Sequence, residues 1–195
     1  MPIDEFFIER LSTPPGTLLV LTDDRDCVLA VDWGDHEARM HELLRRQHHV
    51  TTAALRERPD RSSASRALEA YFDGDLHAID LLAVRMGGTP FQQGVWTALR
   101  QIPVGQTLSY SALAGRIGRP AAVRAVGLAN GANPIGIVVP CHRVIGADGS
   151  LVGYGGGLER KRWLLEHEGV PLSGAHPAGT RPPTGVEPGA APKLW

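Results

Sequence analysis

Cysteine is nearly absent from this chain: 195 residues contain only Cys27 and Cys141. Two distant thiols make no disulfide framework and fit a reducing compartment, so a cytoplasmic protein is expected. The spacing that metal sites need is also missing. The eight histidines (His36, His41, His48, His49, His77, His142, His167 and His176) form no paired Cys-x-x-Cys or His-x-x-x-His pattern. His36, His41 and the two cysteines could meet only through the fold, and neither a metal nor an organic cofactor is expected. No apolar stretch approaches the length of a membrane span, so no membrane partner is expected. The opening Met1-Pro2-Ile3-Asp4-Glu5 is acidic and lacks the basic start of a secretory signal. No internal repeat is evident. The net charge of −1 excludes a broad electrostatic wrap around nucleic acid.

That small net charge conceals an asymmetry. Residues 1–86 hold 10 Lys/Arg and 16 Asp/Glu, whereas residues 87–171 hold 8 and 4. A basic second half suits local contact with a phosphate backbone. The hydrophobic fraction of 43% is ample for a core, and the length suits one or two small domains. The expected organisation is an N-terminal α/β structural domain over 1–86, a helix-turn-helix domain over 87–171 and a disordered tail over 172–195, rich in Pro, Gly and Ala.

In the first half, residues 16–22 and 27–32 are apolar and β-rich, separated by Asp23-Asp24-Arg25-Asp26, and read as an antiparallel hairpin. Met40, Leu43 and Leu44 lie at helical spacing within 35–48. Residues 56–61 are polar, contain Pro59 and read as a loop. Ser62 or Ser63 caps a helix ending near Phe72, with Leu68, Tyr71 and Phe72 inward and Gly74 as its stop. Cys27 reads as a small core hydrophobe.

Gly87-Gly88 marks the boundary. Thr89-Pro90-Phe91-Gln92 is a helix start: threonine cap, proline in the first turn, glutamine three residues on. Phe91, Val95, Leu99 and Ile102 then make one face. A capped helix over 109–118 and a second over 121–130, opened by Pro120, read as a helix-turn-helix or as a plain helical hairpin. The second helix carries Ala121, Ala122, Ala125, Gly127 and Ala129, small residues that let its backbone approach another surface closely. A last helix spans 158–168, with Gly169 as its cap.

Chemistry concentrates at Pro140-Cys141-His142-Arg143-Val144. The apolar run 135–139 before it reads as a buried strand, so Cys141 stands where a strand ends and reactive side chains are presented. Only a thiolate is a strong nucleophile, and an ordinary thiol, with its pKa of about 8.5, needs a base or dipole to become one.

These residues also carry a resemblance. The heptapeptide Pro140-Cys141-His142-Arg143-Val144-Ile145-Gly146, with Asn133-Pro134 before it and Gly153-Tyr154 after it, resembles the active-site signature of the O6-alkylguanine-DNA alkyltransferases. The likeness continues through Arg124-Ala125-Val126-Gly127 and through 163–169, covering about 88–171. In the first half it is weak, carried by Gly16-Thr17-Leu18 and Tyr71-Phe72-x-Gly74. It implies an α/β fold of the α+β kind: a small antiparallel-sheet domain, then a mainly helical, winged helix-turn-helix-like domain. It implies repair of O6-alkylguanine, chiefly O6-methylguanine with O4-methylthymine as a further substrate. The damaged nucleotide is flipped from duplex DNA and its alkyl group passes irreversibly to Cys141, one turnover per molecule, because an alkylated base edge cannot be reached in the stack.

By the same resemblance, Cys141 is the nucleophile, His142 its base through a water, and Glu168 the acid that orients His142. Asn133 holds the loop, although Asn-Pro is also ordinary turn chemistry. Tyr110 aids nucleotide rotation and donates to the departing guanine. Arg124 replaces the extruded base, with phosphate contact as the alternative. Tyr154 walls the pocket, Gly155 offers a backbone amide, and the carbonyls of Cys141 and Val144 accept from the base. Lys161 supports the site. Ala122, Ala125 and Gly127 lie along a helix laid in the minor groove, while Val123 departs from the alanine of many relatives and would crowd that groove if it faced DNA. A monomer is expected. The competing readings are a thiol hydrolase, which would turn over and need no Arg124; a lesion sensor, against which the presence of Cys141 argues; and a helix-turn-helix regulator, for whose extra domain there is no room.

Overall fold

The computed structural model describes residues 5–49 and 55–172. The sequence-read tail from residue 173 onward lies outside them. A hairpin of β1 (Phe6–Thr13) and β2 (Gly16–Asp23) leads into β3 (Val28–Trp33), antiparallel to β2. The short β4 (Leu55–Glu57) joins β1 in parallel, giving the order β3-β2-β1-β4. The sheet is therefore mixed rather than antiparallel throughout, because β4 runs parallel to β1. Arg56 and Glu57, read as loop, belong to this strand. Strand β1 escaped the sequence reading because Glu9 and Arg10 interrupt its apolar residues. Glu9 is nonetheless buried, accepting from the Ser62 backbone amide at 3.0 Å.

The alternation of β2 shows how the sheet is covered. Leu18 and Val20 face the main core, whereas Leu19 and Leu21 face a smaller cluster with Met40 and Leu44 of α1 (Glu37–His48). Helix α2 (Ser63–Phe72) packs on the main-core face, capped by the Ser62 hydroxyl, which accepts from the Ser65 amide at 3.0 Å.

Helix α3 (Pro90–Arg100) begins with the expected capping box, Thr89 and Gln92 each bonding the other's backbone. Its Val95, Trp96 and Leu99 share one core cluster with Leu11, Val31 and Leu68 of the N-terminal segment. A Cβ on Gly87 would lie 2.4 Å from the Gln47 carbonyl oxygen, so the connection runs directly over the end of α1. The short strand β5 (Leu108–Ser109) leads into α4 (Tyr110–Arg116), and α5 (Val123–Gly131) follows a turn at Gly118, whose φ is +70°. Pro120 and Ala121 lie in that turn, so α5 starts later than the sequence suggested and Ala122 is its cap.

Residues 135–139 correct the expectation of a strand. All but Gly136 are buried, but they form successive tight turns, with Ile137 at φ +68° and only Ile135 bridging Val31. The left-handed backbone at Ile137 takes the run out of strand geometry after Ile135. The chain then makes a 3-10 turn over Cys141–Arg143, forms β6 (Val144–Ile145) parallel to β5, and closes with α6 (Leu158–His167), capped by Glu168 and Gly169 at φ +77°.

Candidate active site

Cys141 opens the 3-10 turn and is only 7% exposed. The loop before it is fixed by Asn133, whose Nδ2 donates to the Val139 carbonyl at 2.8 Å and whose Oδ1 accepts from the Ile135 amide at 3.0 Å. Arg39 of α1 adds a brace from the N-terminal segment. It pairs with Asp32 and donates to the carbonyls of Gly131, at 2.8 Å, and Asn133, at 3.3 Å. Burial raises the thiol pKa above its ordinary value, while the Asn133 side chain and then Arg39 and Lys161 pull it back. The resting group is therefore a protonated thiol, and a base must take its proton when it reacts.

The candidate base from sequence is the next residue. His142 is fully buried, with its Nε2 2.9 Å from Glu168 Oε1. Arg143 also holds Glu168, through Nε to Oε2 and Nη2 to Oε1, both at 2.8 Å, while its Nη1 donates to the Ile102 carbonyl at 2.6 Å. Tyr71 of α2 donates its hydroxyl to Oε1 at 2.8 Å. Although burial opposes its charge, Glu168 is held well below the usual carboxylate range by His142 and Arg143. An ionised Glu168 only accepts, so the His142 proton sits on Nε2 and Nδ1 carries the lone pair. Nδ1 has no partner among the described residues, so the ring makes no direct bond with the Cys141 thiol. Burial lowers the imidazole pKa, keeping it neutral.

The residues around the thiol form a tight enclosure. Val31, Trp33, Asn130, Cys141, Tyr154 and Gly155 help line a cavity of about 20 Å³. That is room for about one water and far below the ~300 Å³ of an ordinary ligand pocket, so a purine enters only if the wall opens. The glycine-rich segment 153–157 supplies Tyr154, Gly155 and Gly156 to one side of the cavity. A Cβ on Gly155 would lie 2.9 Å from the Arg39 guanidinium, and one on Gly156 would lie 2.2 Å from the Trp33 indole nitrogen. Lys161 anchors the other end of this segment. Its buried ammonium donates to the carbonyls of Val144 at 2.5 Å and Val152 at 2.7 Å, and desolvation pulls its pKa to about 8. The Val144 carbonyl proposed for base recognition thus already has one donor.

Tyr110, half-buried at the start of α4, places its hydroxyl 3.5 Å from Asn130 Nδ2 and 3.4 Å from the Gly153 carbonyl. These bonds are long, and burial raises its pKa, so it remains a phenol able to donate. A Cβ on Gly127 would make ordinary contact with its ring at 3.9 Å, so α5 packs beside Tyr110 there. The other face of α5 is open: Val123, Arg124, Ala125 and Leu128 are exposed and Ala122 is half-buried. Val123 therefore faces outward rather than into the core.

The structure thus gathers Cys141, His142, Glu168, Asn133, Tyr110, Tyr154, Gly155, Val144 and Lys161 around one cavity or its supports, and sets Arg124 apart on the adjoining helix face. Arg143, Tyr71, Arg39 and Asn130 were not singled out from sequence. Arg143 stood inside the signature, and Tyr71 inside the weak N-terminal likeness; Arg39 gave no signal among the charges of α1. Among the described residues, no group of three or more His, Cys, Asp and Glu could hold a metal. Cys27 is half-buried and outside both core clusters, so it is not the core residue expected.

The family model described as 6-O-methylguanine DNA methyltransferase, DNA binding domain, matches residues 90–170. The methylated-DNA–protein-cysteine methyltransferase of Salmonella typhimurium is 49% identical over 164 residues, covering 84% of this chain and 96% of that protein. The crystal structure of Mycobacterium tuberculosis OGT in complex with DNA superposes with a TM-score of 0.68 at 40% identity, covering 84% of this chain and 93% of that one. The O6-methylguanine-DNA methyltransferase of Pyrococcus kodakaraensis superposes with a TM-score of 0.61 at 25% identity, covering 85% and 99%. At 49% identity over an alignment that spans nearly the whole of the Salmonella typhimurium relative, the chain belongs to the methylated-DNA–protein-cysteine methyltransferases.

Proposed function

We propose that this protein repairs O6-alkylguanine in double-stranded DNA by taking the alkyl group onto Cys141, once per molecule. The observation that carries the reading is the buried thiol beside a neutral imidazole whose outer nitrogen is held by an ionised carboxylate. In the reaction, the thiol proton passes through a water to His142 Nδ1, and Glu168 stabilises the imidazolium formed. The sulfur attacks the alkyl carbon, the carbon–O6 bond breaks, and its electron pair leaves with guanine. Tyr110 donates a proton or hydrogen bond to that leaving base. The product is a thioether, which no group in the site reverses.

DNA reaches the site along α5. Its small residues, exposed Ala125 and half-buried Ala122, let the helix lie in a minor groove, and exposed Arg124 fills the space of the extruded nucleotide. Tyr154 and the Gly155 amide border the flipped base, with the carbonyls of Cys141 and Val144 as acceptors. Residues 1–86 serve as the structural module and 87–171 as the DNA-binding and catalytic one. O6-methylguanine is the chief substrate and O4-methylthymine a second. The protein works as a monomer in the cytoplasm. Among the described residues, no helix is long and apolar enough to cross a membrane.

The test is repair of a duplex carrying one O6-methylguanine, followed as recovery of unmodified guanine, by the wild type and by Cys141→Ser. Recovery only with the wild type supports the reading. Equal lesion binding by both proteins with no recovery identifies a sensor, and recovery exceeding one per protein identifies a hydrolase.

A further inference from the structure

Tyr71 lies outside the signature, 97 positions before Glu168, yet its hydroxyl reaches that carboxylate. It is fully buried in α2, with its ring edge-on to Phe72 and to His167, and His167 Nε2 lies 2.8 Å from the Tyr71 carbonyl oxygen. Glu168 Oε1 therefore takes three donors, from Tyr71, His142 and Arg143, whereas Oε2 takes one from Arg143. Donors sharing one oxygen compete for its electron density. Each one added makes the carboxylate a weaker partner for an imidazolium.

We propose that Tyr71 is a positioning residue that sets the proton affinity of His142 through Glu168, so that the N-terminal segment tunes the alkyl-transfer base. Its place in catalysis rests on the function proposed above, but its effect on His142 does not. The other charged or titratable groups facing this centre are Arg143 from the 3-10 turn, Lys161 and His167 from α6, and Tyr154 across the cavity. None of them replaces the Tyr71 hydroxyl at Oε1. The phenol stays protonated, since burial and the Glu168 charge both raise its pKa, so it acts only as a donor to the carboxylate.

Removing the hydroxyl leaves Glu168 more basic toward His142. The imidazole pKa then rises, and alkyl transfer, which needs a neutral imidazole, is lost at a higher pH as the solution is acidified. The test is an NMR titration of histidine-labelled full-length protein, comparing the wild type, Tyr71→Phe and Phe72→Leu, with single-turnover transfer rates over the same pH range. Phe72→Leu disturbs the same aromatic cluster without touching Glu168. The expected result is a His142 midpoint, and an acid limb of the rate, raised by about half a pH unit in Tyr71→Phe alone. A His142 titration unchanged in Tyr71→Phe, or shifted equally in Phe72→Leu, overturns the inference and leaves Tyr71 as packing. A shifted titration in a protein whose wild type transfers no alkyl group upholds the coupling and refutes the proposed function instead.

Discussion

Replacing Glu168 with glutamine isolates what the buried charge does. The side chain keeps its shape but loses its charge and exchanges one acceptor oxygen for a donor. Placed at the Oε1 position, the new amide would face three donors; placed at Oε2, it would face only the Arg143 Nε–H. The second orientation is preferred, and it leaves a guanidinium, only 4% exposed, without its counter-charge. Losing one partner of a buried ion pair costs about 3–5 kcal/mol, a large share of the ~5–15 kcal/mol that holds a typical domain. Chemistry suffers separately, because a neutral amide stabilises the imidazolium poorly. Transfer should slow by about 10²-fold, the low end of what a positioned base contributes. Urea unfolding at neutral pH gives the first quantity, and single-turnover transfer by the folded variant gives the second. The same charge sets an acid limit. Because the folded pKa of Glu168 is lowered, its stabilisation is complete above the unfolded value of about 4.3 and is lost as pH falls from there toward the folded one. The wild type should therefore lose stability progressively below about pH 5, and Glu168→Gln should lose less over that range. A variant within about 1 kcal/mol of the wild type, with the same acid sensitivity, would refute the claim that this network holds the site.

Three further substitutions probe other parts of the account. Gly156→Ala drives a methyl into the buried Trp33 indole and should cost about 1–3 kcal/mol by thermal or urea unfolding. Asn133→Ala strips partners from the Val139 carbonyl and the Ile135 amide, costing about 2–4 kcal/mol and loosening the Cys141 loop, read as faster hydrogen exchange there. Arg124→Ala, on an exposed helix face, should leave stability within about 0.5 kcal/mol of the wild type but weaken lesion repair roughly tenfold or more.

What could be read from sequence followed the range of the interactions concerned. The Thr89 capping box, the Ser62 cap and the Gly169 stop are local, and each was visible before the fold. Strand β1 was hidden because it buries Glu9, whose Oε1 accepts from the Ser62 amide 53 positions away. The run 135–139 looks the same to a hydrophobicity pattern whether it pairs as a strand or coils into buried turns; the positive φ of Ile137 decides for turns. In the site, Cys141, His142 and Glu168 were legible through the signature. Tyr71 and Arg39 act across the halves of the chain, and nothing local distinguishes them from an inward tyrosine or one more surface arginine. The closed cavity and the donors crowded on Glu168 exist only once the two segments share a core.

The most direct test of the central claim is the intact mass and peptide map of the protein after mixing with excess duplex containing O6-methylguanine. The account predicts a single added methyl, located on Cys141, with repair stopping at one lesion per molecule. An unmodified Cys141 after the lesion has been repaired, or repair continuing past one per molecule, would contradict it.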